Sequence, residues 1–349
     1  MKIHLIANDG SPIGVIPPRI HGEGVGGAEL AMMSLMRVLA ERGHEVTVYN
    51  DPTTPGEYEG VAYRPLSAFV TEHPRDILII FRSPNARVIR RRVSKEQRVI
   101  WWSCDQQTIG DFAQLARESD YCVTISPYHT AYHIQRYGID PNKIGHIDIG
   151  VRTWEYDNME IEKDSKQLLF CSIPDRGLSV LHAAWPQIKE AVPGAHLVIT
   201  SDYTLWGAKN PMNDKHRLNW LRQPDVDFRG KVSRSELVKL QCQSHIQSYP
   251  CTYEELFCIS TAECSVAGAY PITSEMGALQ TTNEFGITLP GNPTNPDWVK
   301  SFVNRIIVAM ADEKMGEKQC LMMVNSRKRF GFDTVAARWE KLFETGELK

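Results

Sequence analysis

Two carboxylates and one guanidinium carry most of the chemistry this sequence can offer. Glu255 and Glu263 are separated by seven residues, and Arg176 stands before Gly177 earlier in the chain. The stretch 249–274 reads as strand, polar loop, helix, glycine and strand. Residues 244–249 form a short strand ended by Pro250, Ser260-Thr261-Ala262-Glu263 has the spacing of a capping box, Gly268 stops the helix, and 270–273 resumes as strand. A helix N-terminus presents unpaired N–H groups and about half a positive charge, so the loop ahead of Thr261 is a natural seat for a diphosphate. Carboxylates flanking that seat would hydrogen-bond hydroxyls rather than phosphates. On the plainer reading Glu263 only closes its own capping box and Glu255 is a solvated loop residue, since two glutamates at this spacing are a common accident.

The constellation resembles the Glu-x7-Glu signature of family 4 of the retaining glycosyltransferases, enzymes of the GT-B fold that use nucleotide-sugar donors. The run 262–272, Ala-Glu-Cys-Ser-Val-Ala-Gly-Ala-Tyr-Pro-Ile, resembles that family's Glu-Ala-Met-Ala-x-Gly-x-Pro-Val run. The resemblance implies that Glu255 lies against the transferred sugar and that Glu263 holds the ribose hydroxyls. Leu256, Phe257, Cys258, Ser260 and Thr261 then belong to the loop and helix start whose backbone N–H groups meet sugar and diphosphate.

The elements that must position these residues fill a chain of 349 residues, long enough for two domains of ordinary size. A hydrophobic content of 42%, a charged content of 23% and a net charge of -3 describe a globular protein with no global pull toward nucleic acid or an anionic membrane. No apolar run suggests a membrane span, and the first residues turn polar too quickly for a signal peptide. The eight cysteines stand singly, without a Cys-x2-Cys pair, as reduced thiols of a cytoplasmic protein do.

Residues 2–7 form the first strand, a helix covers about 28–42 with Gly43 beyond it, and 45–49 is the next strand, a Rossmann-like opening. Gly22-x-Gly24-x2-Gly27 formally satisfies a dinucleotide fingerprint, with Asp51 where a ribose-binding acid is expected. Its first glycine, however, does not directly follow the strand, which argues against a nicotinamide cofactor. Gly26-Gly27-Ala28-Glu29 instead resembles the Gly-Gly-x-Glu loop of the transferase family, implying that Gly26 and Gly27 let the backbone approach donor phosphate and acceptor. The continuous apolar runs 76–81 and 98–102 read as buried parallel strands. Between them, Arg82, Arg87, Arg90, Arg91, Arg92, Lys95 and Arg98 form a basic block, either a solvated helix face or, over Arg87 to Arg98, a weak contact for an anionic surface, which would place the protein peripherally at a membrane. Cys104-Asp105 follows the strand end where the family often carries His-Asp; the departure at Cys104 leaves Asp105 as the residue to touch an acceptor hydroxyl. His129 and His133, four apart on a helix, find no further metal ligand nearby.

Gly150-Val151 resembles the family's close of the first domain, and the acidic stretch 155–165 is the best linker. Residues 167–171 then open a second strand series, with a helix through Trp185 and strands at 195–200 and 226–229. The resemblance assigns Arg176 to the donor diphosphate, where a bidentate fork suits it, although Ser172 stands near the place of a second basic residue. It also sets Gly230, Lys231 and Val232 beside the nucleotide base. Helices at 293–310 and 313–329 precede a terminal helix at 333–343.

The expected fold is thus α/β of GT-B type: two Rossmann-like domains facing across a cleft, 1–154 with 331–349 on the acceptor side and 155–330 on the donor side, the last helix crossing back to the first. The resemblance implies metal-independent transfer, with retention, of a sugar from a UDP or GDP donor to a glycan or other hydroxyl acceptor and no resident cofactor. The catalytic residues would be Glu255, Asp105 and Arg176. An inert nucleotide-sugar binder, suggested by Cys104 and Ser172, and a transferase acting on nucleic acid, suggested by the basic block, are the competing readings.

Overall fold

The computed structural model describes residues 1–7, 14–21, 25–70, 73–82, 98–107, 111–206 and 212–348, with main chain only at 205 and 206. The chain divides into two compact units, Met1–Ile20 with Val25–Gly150 and Phe332–Lys349, and His21–Gly24 with Val151–Gly331.

The first unit is built on β1 (Lys2–Ala7), β2 (Glu45–Tyr49), β3 (Gly56–Tyr58), β4 (Val61–Arg64), β5 (Ile77–Phe81), β6 (Arg98–Trp102), β7 (Tyr121–Thr124) and β8 (Ile144–His146). They lie in the order β3-β4-β2-β1-β5-β6-β7-β8, and every pairing is parallel except β3 with β4. From β1 the chain steps outward to β4, then returns to the other side of β1 at β5. Between β1 and β5 the loops leaving the carboxyl ends of the strands diverge, and this is where an open α/β sheet accepts ligands. Strand β5 is buried along its whole length, as its run of Ile and Leu requires under helices on both faces. Helices α1 (Pro18–His21) up to Ile20, α2 (Gly27–Glu41), α3 (Phe112–Glu118), α4 (Pro127–Tyr137) and the chain's last helix, Phe332–Thr345, belong to this unit.

The last helix carries Val335, Ala336, Trp339, Leu342 and Phe343 on its buried face, and burying Leu342 and Phe343 contributes about 1.5–3 kcal/mol each. Trp339 meets Trp102 edge-on at 5.1 Å between ring centroids, and Glu340 accepts from Arg42 at 2.7 Å. Arg98 donates to the carbonyls of Phe343 and Glu344 at 2.6 and 2.7 Å, closing the end of this helix. It therefore does not stand on a solvated basic face. Residues 83–97, with the rest of the basic run, lie outside the described residues.

The second unit holds β9 (Asp164–Phe170), β10 (His196–Ile199), β11 (Val226–Phe228), β12 (Ser244–Tyr249), β13 (Tyr270–Ser274) and β14 (Ile287–Leu289), all parallel in the order β11-β10-β9-β12-β13-β14. Its switch point lies between β9 and β12. The helices are α5 (Leu178–Ala191), α6 (Met212–Trp220), α7 (Arg234–Gln243), α8 (Ile259–Ala267), α9 (Leu279–Thr282), α10 (Pro296–Met310) and α11 (Met315–Phe330), followed by α12, the last helix already described. Helix α5 does not stop at Trp185. Pro186 removes the bond to the fourth residue back, but Trp185 and Ile188 are fully buried and hold the helix through Ala191. Nor is 155–165 linker throughout: Tyr156 is buried and Glu155 pairs with both Arg152 and Arg234 at 2.7 Å. Among the described residues no helix is long and apolar enough to cross a membrane.

Candidate active site

The loops leaving β9 and β12 bring Arg176 and Glu255 together at the second unit's switch point. Arg176 ends a short turn after β9, and its Nη1 lies 3.3 Å from Glu255 Oε2. Its guanidinium stacks on Tyr253 with the central carbon 3.5 Å from the ring centroid. The last residue of β12, Tyr249, donates its hydroxyl to Glu255 Oε1 at 2.6 Å, and Ser172 Oγ lies 3.2 Å from the Tyr249 oxygen. Burial, and then Glu255, hold the Tyr249 hydroxyl well above the ordinary phenol range, so it stays a donor. Burial opposes the charge on Arg176, but Glu255 and Tyr249 outweigh it, and its pKa stands above the usual arginine value. Among the described residues Arg176 Nη1 is buried without a hydrogen-bond acceptor despite its ion pair with Glu255. A buried donor left in that condition is costly, and an anionic oxygen would satisfy it.

Backbone contacts fix Glu255 as firmly. Its main chain bridges to Gly277, and its carbonyl accepts from Ala278 N at 2.7 Å. Gly277 has φ +61, and a Cβ there would collide with the Glu255 backbone, so only glycine fits.

Helix α8 begins two residues earlier than a capping box would place it. Cys258 occupies the N-cap with φ +75 and makes no side-chain cap, so Ser260 is the second helical residue and Glu263 is not the reciprocal partner of a box. Glu263 is 3% exposed: its Oε1 pairs with Arg234 Nη1 at 2.7 Å and its Oε2 accepts from Gln241 at 3.1 Å. Arg234 also reaches the Tyr156 hydroxyl at 3.3 Å. Of the other loop residues, Leu256 and Ser260 are half-buried, Phe257 packs against Phe330, and Cys258 Sγ lies 3.2 Å from Thr261 Oγ1. Burial, then Glu255, push the Cys258 thiol up to about 12. Lys231 is exposed and Val232 half-buried, on the turn between β11 and α7.

Asp105, Gly26 and Gly27 form a separate cluster at the first unit's switch point. Arg82, directly after β5, binds Asp105 through Nε–Oδ2 at 2.9 Å and Nη2–Oδ1 at 3.0 Å, and Glu29 Oε1 through Nη1 at 3.1 Å. The sequence sets Arg82 in the basic block; the fold commits it to two carboxylates. The Asp105 carbonyl accepts from His129 Nε2 at 3.1 Å, while His129 Nδ1 faces Ile125 N at 3.5 Å, an arrangement that suits the neutral ring. Burial lowers His129 to about 4. His133 stacks on Trp101 and lies 2.8 Å from Ser103 Oγ. Cys104 keeps its proton, its pKa well raised by burial and then by Asp105. Asp51 accepts from Leu66 N at 2.7 Å in a turn. No three or more His, Cys, Asp and Glu side chains among the described residues gather closely enough to hold a metal ion.

Sequence reasoning missed Tyr249, Arg234 and the commitment of Arg82. The one available signal was position, since Tyr249 and Arg82 sit at the carboxyl ends of the strands flanking the two switch points.

No protein-family model and no curated protein matches the sequence. Solved structures do match over nearly the whole chain. A glycosyltransferase from Rickettsia africae superposes with a TM-score of 0.73 at 13% identity, covering 98% of this chain and 97% of its own. Sucrose-phosphate synthase from Thermosynechococcus elongatus gives 0.72 at 17%, covering 98% of each chain. HepE of Anabaena, in complex with UDP and glucose, gives 0.69 at 14%, covering 99% of this chain and 100% of its own. The fold is that of the GT-B glycosyltransferases.

Proposed function

We propose that the chain is a retaining glycosyltransferase of the family 4 kind, transferring a sugar from a UDP or GDP donor to an acceptor hydroxyl without a metal ion. The observation that carries this reading is the Arg176–Glu255 pair at the second switch point, with a buried Arg176 donor that lacks an acceptor. The fold supports it, as do neighbours solved with UDP-glucose and with ADP and acarbose. In this reading the second unit binds the donor and the first supplies the acceptor side.

Arg176 and the amides at the start of α8 stabilise the charge that develops on the leaving diphosphate, the main electrostatic demand of the step. A diphosphate oxygen takes the proton of the acceptor hydroxyl on the same face. Glu255, oriented by Tyr249, holds the sugar and stabilises its positive character. Glu263 offers the ribose hydroxyls only lone pairs that Arg234 and Gln241 leave open. Leu256, Phe257, Cys258, Ser260 and Thr261 contribute backbone rather than side chains, Lys231 and Val232 border the base, and Asp105 receives the acceptor hydroxyl.

The test is a panel of UDP- and GDP-sugars with and without glycoside acceptors, following nucleotide release, EDTA sensitivity and the anomeric configuration of the product. Release that persists in EDTA, product of retained configuration, and loss of both activities in Arg176→Ala and Glu255→Gln are expected. A protein that binds a nucleotide sugar but never releases nucleotide would instead be a binding module, the reading that Cys104 and Ser172 suggest. Absence of any nucleotide binding would refute both.

A further inference from the structure

We infer that Arg82 is the positioning residue of the acceptor side, fixing Glu29 and Asp105 as a paired acceptor for the hydroxyls of an incoming substrate. This rests on the function proposed above and adds a residue to it. Three segments meet at Arg82: the start of α2 through Glu29, the end of β5, and the loop after β6 through Asp105. They meet at the point where the first sheet changes direction, the place an open α/β sheet reserves for ligands.

The geometry is built rather than incidental. Arg82 holds φ +64, a left-handed conformation that a long side chain rarely adopts, and strain of this kind concentrates at functional sites. Its backbone is locked on both sides, N–H to Trp102 O at 2.8 Å and carbonyl to Trp101 Nε1 at 2.5 Å. The guanidinium spends both edges of its fork on Asp105 and a further donor on Glu29, so the two carboxylates keep a fixed separation and a combined charge of one negative unit with Arg82. Glu29 in turn folds over Gly26, its carboxylate lying where a Cβ of that residue would stand. The Arg82, Glu29 and Asp105 side chains are each about one-fifth exposed, so a ligand can reach the carboxylate oxygens, whose remaining lone pairs accept from hydroxyls.

Left-handed backbone makes the test clean, because glycine adopts φ +64 without strain, so Arg82→Gly deletes the fork without straining the main chain. With the UDP- or GDP-sugar that the wild type turns over and a panel of methyl and aryl glycosides as acceptors, Arg82→Gly should lose about 10- to 100-fold in kcat/KM for the acceptor. The KM for the donor should stay within about twofold, and methylguanidinium should restore the acceptor reaction. Arg82→Lys, which keeps the charge but not the fork, should recover little. The inference is overturned if Arg82→Gly leaves acceptor kcat/KM unchanged, if donor and acceptor constants worsen equally, or if Arg82→Lys restores what methylguanidinium does not. Should the wild type turn over no nucleotide sugar, the functional reading itself fails and takes the inference with it, and the wild-type control separates that case from the others.

Discussion

Replacing Arg234 by methionine would strand a carboxylate inside the second unit. Glu263 is 3% exposed and its Oε1 lies 2.7 Å from the Arg234 guanidinium; without it, only the neutral amide of Gln241 at 3.1 Å remains. Although burial works against the charge of Arg234, Glu263 leads the groups that keep its pKa well above the ordinary value. Removing one partner of such a pair costs about 3–5 kcal/mol. For a unit of this size that corresponds to a melting temperature lower by about 6–20 °C. The double variant Arg234→Met with Glu263→Gln removes the stranded charge and should recover all but about 1–2 kcal/mol. Calorimetry and urea unfolding followed by tryptophan emission would measure both. A single variant that loses less than about 1 kcal/mol, or a double variant no better than the single, would show that Glu263 is not held as an ion by Arg234. The same proteins titrated with UDP and GDP would report whether Glu263 also serves the ribose.

Tyr249→Phe should cut sugar transfer roughly 10- to 100-fold, the loss expected of a hydrogen bond to a charged acceptor; an unchanged kcat would remove Tyr249 from the site. Acid should weaken the first unit, because burial lowers His4 and His129 to about 4 and His133 to about 2. Unfolded histidines titrate near 6.5, so the unfolded chain takes up protons that the fold refuses. Stability is full above about pH 6.5 and falls toward pH 4 by about 1.4 kcal/mol per pH unit for each histidine. A pH series of unfolding free energies should show that slope, and His129→Gln should flatten it; identical slopes would count against the assignment.

Much of this was legible because it is written in local chemistry. The apolar runs that became β5 and β6, the glycine that ends α8 and the apolar stripe of α12 each announce one element and its buried face. The Arg176–Glu255 pairing could be expected because loops at strand ends converge on one edge of a parallel sheet. What escaped was chosen by distant neighbours. Ser260 and Glu263 have the spacing of a capping box, yet Cys258 takes the left-handed conformation and starts the helix early, and Glu263 is claimed by Arg234 from another helix. Arg82 sits in a run of basic residues and reads as one more surface charge until the fold brings Glu29 and Asp105 to it. Proline inside α5 likewise reads as a stop, and only the burial of its flanks explains why the helix continues.

Val151 N–H donates to Phe330 O at 2.7 Å and pairs with Gly331, while Gly150 lies against the Phe332 ring. Entry to and exit from 151–331 are therefore neighbours in space, and this segment is an insertion whose two ends are already stitched together. Such an arrangement suits excision and grafting. The Arg176–Glu255 half can be swapped for that of another chain by two cuts, with no β-strand severed.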